Sequence, residues 1–348
     1  MTATDSLLMA LSNLDALPGQ ETQVQQALQE IIDEPATKDA FGNLYFGEVK
    51  TKKKTIALYA HMDEVGFFVH RISDDGFVSF YPIGGWWGHV ILGQQVRATC
   101  RKNGAVLEGI VGTLPKTSHK MAEVVPISEM YIDFGAHSKA ELEEAGLQVG
   151  DMILPNTTAK KSFNQKKIIG KALDDRVACA VMAQVKNQVE TKNIEVIGVG
   201  TVQEEAGTRG SKVAAAHVDA DINIVIDVAN GKDTPKAAEV PNRIQGKGPG
   251  LVLADKTALG NIKLIDYCKE VAEENHLPWQ YDLLGGGGTD AGSVQLFAGK
   301  PTVVFCVPVR YCHSWQSIVE IADVEATIDL LSAVIRSFDE GGIDLEQF

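Results

Sequence analysis

The chain has 348 residues, of which 45% are hydrophobic and 22% are charged, and its formal net charge is -14. This composition is typical of a globular protein large enough for two domains, and the negative charge argues against nucleic acid as a partner. The sequence has no apolar run approaching the roughly 20 residues of a membrane span and no secretory signal, so we expect a cytoplasmic protein with reduced cysteines.

The first part of the chain predicts an α/β structure. Residues 21–33 have their apolar side chains at helical spacing, and residues 55–60 form a short apolar run that indicates a strand. The polar cluster 61–64 follows this run at once. A buried strand with functional groups at its C-terminal end is typical of α/β sheets.

Between residues 66 and 164 the pattern changes to short β-like segments separated by turn residues. One helix is predicted in this stretch, over residues 138–145. Regularly spaced short strands with turn signals favour a small barrel or sandwich inserted as a separate domain. The strands predicted in this inserted domain cover residues 67–71, 77–81, 94–100, 106–111 and 130–134.

After residue 167 strands and helices alternate again, which predicts a mostly parallel sheet covered by helices on both faces. We therefore expect an α/β fold with a three-layer main domain, formed by residues 1–65 and 165–348, and a β-barrel domain, formed by residues 66–164, inserted into it. The helices predicted after residue 167 cover 175–190, 209–216, 262–275 and 324–338, and the strands cover 193–203, 221–227 and 302–307.

Carboxylate or histidine side chains stand at five places where an apolar segment ends. The C-terminal ends of parallel strands lie along one edge of a sheet, so we expect these side chains to meet in one crevice. Each place is a weak signal alone, because a carboxylate after a strand is often a helix cap and a single histidine is often structural. The five places are 61–64, Asp174-Asp175, Glu204-Glu205, Asp227 and His313.

This set contains imidazole and carboxylate groups and no cysteine, which suits zinc, cobalt or manganese, and a pair of ions in particular. Two nearby cations need a shared anionic ligand, and Asp174, at a strand-to-helix turn, is the candidate. His61 and Asp227 would then bind one ion, and Glu205 and His313 would bind the other. Each ion would keep an open position for water.

Two further carboxylates have expected roles beside the metal ligands. Asp63 lies two residues beyond His61, so its carboxylate can hold the imidazole in one tautomer. Adjacent residues point in different directions, so Glu204 and Glu205 are not both expected to bind metal. One of the two remains free as a general base for a metal-bound water.

With these residues in place, the sequence resembles the glutamyl and deblocking aminopeptidases, a group of dinuclear metallopeptidases that form tetrahedral assemblies. The resemblance covers nearly the whole chain in the same order, and the combination of its motifs is specific. It runs through residues 61–66, 172–176, 204–207, 226–227, 287–291 and 313–314 of the main domain and through 131–136 and 149–151 of the inserted domain.

The resemblance implies a role for each candidate residue. It implies that Glu204 is the general base, that Asp63 orients the metal-binding histidine, and that the peptide bond after Asp174 is cis. The two metal ions, zinc or cobalt, are implied to be bound by His61, Asp174, Glu205, Asp227 and His313, with Asp174 bridging.

The implied activity is the release of N-terminal residues from peptides by a hydroxide bound to two metal ions. The inserted barrel is implied to serve dimerisation, and the dimers to assemble into a dodecamer, with no nucleic acid or membrane partner. Another dinuclear metal amide hydrolase, such as a deacylase or dipeptidase, would use the same ligands. A glycosidase would leave the two histidines unexplained. A non-catalytic scaffold would be signalled by a missing ligand or base, and none is missing.

Other features of the sequence bear on the substrate and on assembly. The loop 284–290 contains four glycines, and it either lines the pocket for the first side chain or forms a turn in which Asp290 caps the next helix. Trp86-Trp87 is an unusual pair near the domain junction. His119 lies in a segment that could reach a neighbouring subunit. Cations that could set the first-residue preference are Arg243, Lys256 and Arg310.

Overall fold

The computed structural model describes residues 3–114, 123–237 and 242–341, together with residues 344, 347 and 348. In these ranges no helix combines the length and the apolar character that a membrane crossing requires. The segment that carries His119 lies outside the described residues, so its expected contact with a neighbouring subunit stays a prediction. The cytoplasmic location stays a prediction as well.

Every helix and strand predicted in the main domain is found in the structure, with ends that differ by a few residues. The helices are α1 (Ala3–Asn13), α2 (Thr22–Ile31), α3 (Gly88–Ile91), α4 (Lys139–Ala145), α5 (Leu173–Gln188), α6 (Arg209–His217), α7 (Ile262–Glu274), α8 (Asp290–Ala298) and α9 (Ile321–Gly341). The strands are β1 (Ala36–Lys38), β2 (Leu44–Phe46), β3 (Lys54–His61), β4 (Gly66–Ile72), β5 (Phe77–Ile83), β6 (Gln95–Thr99), β7 (Val106–Thr113), β8 (Met130–Asp133), β9 (Met152–Pro155), β10 (Lys160–Lys161), β11 (Lys167–Gly170), β12 (Ile194–Thr201), β13 (Ile222–Asn230), β14 (Gly250–Ala254), β15 (Gln280–Leu283), β16 (Thr302–Arg310) and β17 (Ser317–Glu320).

The larger sheet has eleven strands in the described residues and is parallel at its centre, and β14 branches from it through an antiparallel pair with β16 and a parallel pair with β15. Strands β12, β3, β13 and β16 are neighbours and run parallel, so their C-terminal ends lie together. Strands β1 and β2 continue the sheet on one side, and β17, β11 and β10 continue it on the other, all through antiparallel pairs. The expected α/β sheet is confirmed, and its antiparallel margins are a feature that strand–helix alternation does not indicate.

Helices cover both faces of this sheet, and the sequence of β3 shows why. Its residues Ile56, Leu58 and Ala60 pack into a core that includes α5 and α9. Its residues Ala57 and Tyr59 pack on the opposite face, in a core that includes α6 and α8. Successive side chains of a strand point to opposite faces, so a strand buried on both sides is apolar throughout. The predicted three-layer arrangement is confirmed.

The smaller sheet closes into a six-stranded barrel in the order β4-β5-β8-β7-β6-β9, which confirms the predicted inserted barrel. Its interior is filled by apolar side chains from every strand, among them Phe67, Val96, Val111 and Ile132. The strands of the barrel lie between residues 66 and 155, while β10 already belongs to the larger sheet. The domain boundaries at residues 65/66 and 164/165 themselves stay a prediction.

The expectation of a single helix in the inserted domain is wrong, because α3 adds a second one before strand β6. It is one turn long, and only Ile91 of its side chains is buried. A helix of four residues has no apolar periodicity, so the pattern that predicts longer helices cannot reveal it.

A buried ionic cluster joins the barrel, the N-terminal arm and the strand end that carries His61. The Lys171 ammonium is buried and donates to both carboxylate oxygens of Glu64, at 2.7 and 2.9 Å. It also lies 3.2 Å from Oδ1 of Asp15, which in turn pairs with Arg97 of strand β6. Glu64 and Asp15 each pair with two cations of the cluster, so removing Lys171 would leave both buried carboxylates only partly compensated, which is unfavourable. The cluster therefore ties the barrel to the main domain.

We expect Lys171→Met to lower the free energy of unfolding of the metal-free protein by about 3 kcal/mol, because Glu64 loses one of its two buried counter-charges and keeps Arg176. Methionine keeps much of the side-chain length, so the loss reports mainly the charge. The measurement is urea unfolding followed by circular dichroism. The control is Lys54→Met, because the pair of Lys54 with Asp221 is exposed and contributes at most about 1 kcal/mol. Equal losses in the two variants would contradict this account of the ionic cluster.

Candidate metal centre and cleft

The predicted site residues lie at one edge of the larger sheet, where its central parallel strands end. His61 is the last residue of β3, and Asp227 lies in the last part of β13. Glu204 and Glu205 follow β12, and His313 follows β16. The structure brings these five residues together in one crevice, as parallel strands with adjacent C-terminal ends allow.

Two groups of potential metal ligands lie in this crevice, and each combines one imidazole with two carboxylates. Donor sets of this kind suit zinc and cobalt. Within each group the ligand atoms lie within 4.8 Å of one another. The first metal group consists of His61, Asp175 and Asp227, and the second metal group consists of Asp174, Glu205 and His313.

Asp174 lies between the two groups. Its Oδ1 is 3.1 Å from Nε2 of His61, and its Oδ2 is 3.3 Å from Nε2 of His313. One oxygen therefore faces each histidine, which is the arrangement that a carboxylate shared by two cations needs. The peptide bond between Asp174 and Asp175 is cis, as the resemblance implies, and the backbone of both residues departs from helical geometry.

Asp175 is a site residue to which sequence reasoning gave no role. Its side chain is fully buried, and its Oδ1 accepts a hydrogen bond from the amide of Ala178 at 3.1 Å. Its Oδ2 has no hydrogen-bond partner among the residues that the structure describes. A buried oxygen without a partner, beside His61 and Asp227, fits a bound cation. The signal that could have found it is the pair of adjacent aspartates at the start of a helix.

Asp63 connects the ends of two neighbouring strands. Its carboxylate accepts the backbone N–H groups of Glu204 and Glu205, each at 2.9 Å. Its Oδ1 also lies 3.5 Å from Nδ1 of His61. The side chain is fully buried and holds the peptide that carries the two glutamates, and its Oδ1 lies beside the imidazole at the outer limit of a hydrogen bond. This placement suits an orienting role, in which a carboxylate holds a histidine with Nε2 toward a metal ion.

The charge of these side chains is unbalanced without cations. Burial raises the pKa values of Asp175, Asp227 and Glu204 well above the usual carboxylate range, and neighbouring carboxylates raise them further. Burial lowers the pKa of His61, but hydrogen bonds to neighbouring aspartates outweigh burial and raise that pKa above its usual value. The site thus favours bound protons, and divalent cations would supply the same positive charge.

A cleft of about 900 Å³ opens over the two metal groups. Its walls come from both parts of the chain, because Trp86 and Trp87 follow barrel strand β5 whereas the glycine loop (residues 285–288) belongs to the main domain. The glycine loop therefore lines the cleft, as one of the two interpretations of residues 284–290 predicts. Glycines allow the backbone to approach a ligand closely.

The expectation that Asp290 caps the next helix is wrong, and its side chain does not line the cleft either. Helix α8 is capped by Thr289, whose side chain accepts a hydrogen bond from the amide of Ala291. Asp290 is the first residue of the helix, is buried, and accepts a hydrogen bond from the Thr201 hydroxyl at 2.6 Å. Thr289 occupies the capping position one residue earlier. The carboxylate of Asp290 instead binds Thr201, the last residue of strand β12.

The three cations considered for the cleft differ in whether their charge is available. Arg243 is buried and pairs with Asp282, with Nε 2.6 Å from Oδ2. Arg310 pairs with Asp233, with Nη2 2.6 Å from Oδ2. Lys256 is exposed in the cleft wall and forms no ion pair with any residue that the structure describes. Lys256 is therefore the candidate for contact with a charged ligand.

Both the sequence and the fold match those of known peptidases. The model of the M42 glutamyl aminopeptidases matches residues 42–330 of the chain. FrvX of Escherichia coli (strain K12), which carries the provisional name of an aminopeptidase, is 34% identical over 338 residues, covering 95% of this chain and 94% of its own.

Solved structures match over nearly the full length. Aminopeptidase APDkam598 from the archaeon Desulfurococcus kamchatkensis superposes with a TM-score of 0.91 at 30% identity, covering 99% of this chain and 96% of its own. The Pyrococcus horikoshii TET1 peptidase, which can assemble into a tetrahedron or a large octahedral shell, superposes with a TM-score of 0.85 at 27% identity. That match covers 95% of this chain and 99% of the TET1 chain.

We expect Asp63→Asn to weaken the binding of cobalt ions about 10- to 100-fold, because an amide cannot accept both backbone N–H groups and orient His61 as well. The measurement is calorimetric titration of chelator-treated protein with cobalt. The control is Asp39→Asn, because Asp39 also accepts backbone N–H groups but does not belong to the cleft lining. Equal cobalt affinities in the two variants would contradict the role assigned to Asp63.

Proposed function

Because the chain belongs to the M42 glutamyl aminopeptidase family, and is therefore a hydrolase that acts on peptides, we propose that it releases N-terminal residues with the help of two divalent metal ions. The observation that carries the proposal is the position of Asp174, whose two carboxylate oxygens face two different histidines under an open cleft. One ion would be held by each metal group, with Asp174 shared between them. Zinc or cobalt suits these donors.

When bound, the two ions would lower the pKa of a water molecule and polarise the carbonyl of the scissile peptide bond. The chain itself would supply the general base. Glu204 lines the cleft, Asp63 fixes its backbone, and burial raises its pKa, which favours proton uptake. Glu204 would take a proton from the attacking water and give it to the leaving amine. Glu205 belongs to the second metal group, so the two adjacent glutamates would have separate roles.

The cleft would bind the free end of a peptide. A free α-amine is positively charged, and it would lie near the second metal group and Glu204, which lines the cleft and belongs to neither metal group, so the bound cations do not offset its charge. The glycine loop and Trp87, which is 53% exposed, would offer backbone and an aromatic surface to the first side chain. Lys256 would favour an acidic first side chain, because its ammonium forms no ion pair with the described residues.

Two alternatives are less well supported. A deacylase or dipeptidase would use the same ligands, and only its substrate would differ. A glycosidase needs two carboxylates on opposite sides of a sugar and no metal ions. It would leave unexplained why His61 and His313 both face the carboxylate of Asp174. An aminopeptidase accounts for the family and for the side chains of the site together.

The proposed function includes a homo-oligomer in which the barrel forms the dimer contact and dimers assemble into a dodecamer. The similarity to the TET1 peptidase, which assembles into closed shells, supports this proposal. The barrel also exposes apolar side chains, among them Val106, Ile110 and Val149, and exposed apolar surface favours contact between copies. Gel filtration with light scattering would distinguish a dimer from a dodecamer.

The first test is hydrolysis of a panel of aminoacyl-p-nitroanilides by chelated protein and by protein reloaded with zinc or cobalt. Activity is expected to disappear on chelation and to return with either metal. In Glu204→Gln we expect kcat to fall about 10²- to 10⁴-fold while both ions stay bound, because the amide cannot carry the proton. The control is Glu190→Gln, which changes an exposed glutamate beyond the end of α5.

Metal-loaded protein that cleaves no free-amine substrate would overturn the aminopeptidase proposal. Blocked peptides, acylated amino acids and dipeptides would then identify the activity. If Glu204→Gln kept the kcat of the wild type, Glu204 could not be the general base, whatever the substrate.

We expect Lys256→Gln to raise KM for a glutamyl substrate about 2- to 5-fold, which is the effect of losing one exposed charge contact. KM for a leucyl substrate is expected to stay unchanged, because that side chain carries no charge. The control is Lys263→Gln, which removes an exposed ammonium on helix α7. An equal change of KM for both substrates would show that Lys256 does not recognise the charge of the first residue.

A further inference from the structure

One segment of the barrel reaches the proposed metal centre. It follows strand β5 and consists of residues 84–87, which we call the crossing segment. The carbonyl oxygen of Gly85 lies 2.8 Å from Nδ1 of His313. A carbonyl oxygen can only accept, so Nδ1 carries the proton of this hydrogen bond. Nε2 is then the nitrogen that faces Asp174 and Glu205, at 3.3 and 3.4 Å.

The crossing segment also touches the carboxylate of Glu205. A Cβ atom added at Gly84 would lie 3.0 Å from Oε2 of Glu205 and 2.4 Å from Cγ1 of Val65, and Gly84 has a φ of +78°. Only glycine combines so close an approach with this backbone conformation. A Cβ atom at Gly85 would lie 3.3 Å from Nδ1 of His313. The segment thus packs against two side chains of the second metal group.

Trp86 anchors the crossing segment to the barrel. Its Nε1 donates to the carbonyl oxygens of Gly66 and Ile83, both at 3.2 Å. Its ring stacks on that of Phe67, with centroids 4.8 Å apart and an interplanar angle of 23°. The ring of Trp315 lies 5.5 Å from that of Trp86. These contacts leave the segment little freedom to shift.

Trp315 anchors the loop of His313 to the same place. It lies two residues after His313, is 5% exposed, and donates from Nε1 to the carbonyl oxygen of Gln95 in strand β6 at 2.8 Å. The aromatic cluster of Phe67, Trp86 and Trp315 therefore holds the crossing segment and the His313 loop against each other.

We propose that Trp86 is a positioning residue of the metal centre. By holding the carbonyl of Gly85 in place, Trp86 fixes the orientation of the His313 ring and thereby the affinity of the second metal group for its ion. The proposal rests on the proposed dinuclear function and gives the inserted barrel a role in the site. The first metal group lies entirely in the main domain, so its ion does not depend on the crossing segment.

The experiment is a cobalt titration of the chelator-treated full-length protein, followed by the visible absorption of Co(II) and by calorimetry. The wild type is expected to bind two ions. In Trp86→Ala we expect one ion to bind about 10- to 100-fold more weakly, with an altered absorption spectrum, while the other ion keeps its affinity. Trp86→Phe keeps a stacked ring but loses the indole N–H, so it is expected to lie between Trp86→Ala and the wild type.

A second variant tests the same contact with a smaller change. In Gly85→Ala the added methyl group must displace the ring of His313 by a few tenths of an ångström, so the same ion is expected to bind more weakly. The controls are Gly341→Ala, whose added Cβ meets no described atom within 4 Å, and Trp279→Ala, which removes a ring that contacts Tyr281 outside the cleft. Both controls are expected to bind two ions with wild-type affinity.

Unchanged affinity for both ions in Trp86→Ala and Gly85→Ala would overturn the positioning role and leave the dinuclear function standing. The positioning role would also be overturned if Trp86→Ala lowered the affinity for both ions equally and Trp279→Ala lowered both affinities to the same extent. A general loss of stability would then explain the change. A wild-type protein that binds fewer than two cobalt ions would overturn the proposed dinuclear function itself, and this inference with it.

Discussion

Electrostatic repulsion among buried carboxylates is the constraint on which the rest of this structure depends. Carboxylates packed so closely can all be ionised only when cations lie between them, so the folded chain and its ions are energetically coupled. The fold places Asp227, Glu204 and Glu205 at the ends of central parallel strands, and it places Asp174 and Asp175 at the start of helix α5. The carboxylates concerned are Asp174, Asp175, Asp227, Glu204 and Glu205, and His61 and His313 lie among them.

The turn after strand β3 shows how the protein resists that repulsion. Asp63 faces the site and ties β3 to the glutamates that follow β12. The next residue, Glu64, faces away from the site and is buried against Lys171 and Arg176. Arg176 also donates to the carbonyl oxygens of Met62 and Asp63, at 2.6 and 3.1 Å. The turn thus directs the carboxylate of Asp63 toward the site and the carboxylate of Glu64 toward two buried cations on the other side.

The sequence predicted those parts of the protein that depend on local pattern. Strand β3 and the polar cluster after it are predictable, because a strand buried on both faces is apolar throughout and the polar residues that follow mark its end. The antiparallel margins of the sheet were not readable, because short edge strands depend on partners far away in the chain. The strand and segment ends predict the residues of the candidate site, including the pair Asp174-Asp175. The order of residues does not show that both of these carboxylates face the site, so it gives Asp175 no separate role. The Gly85 carbonyl was equally hidden, because a backbone oxygen that contacts His313 across 228 residues has no side-chain signature.

The hydrogen bond between Gly85 and His313 also limits how the protein can be divided or recombined. Because the barrel supplies the carbonyl oxygen that accepts a hydrogen bond from His313, it cannot be exchanged as an independent domain. A chimera with the barrel of another protein would place His313 wrongly unless it kept residues 84–87 of this chain. Exposed side chains of the barrel such as Val106 and Ile110 do not line the cleft, so exchanging them leaves this hydrogen bond in place. The proposed contact between copies could therefore change faster in evolution than residues 84–87, which contact His313.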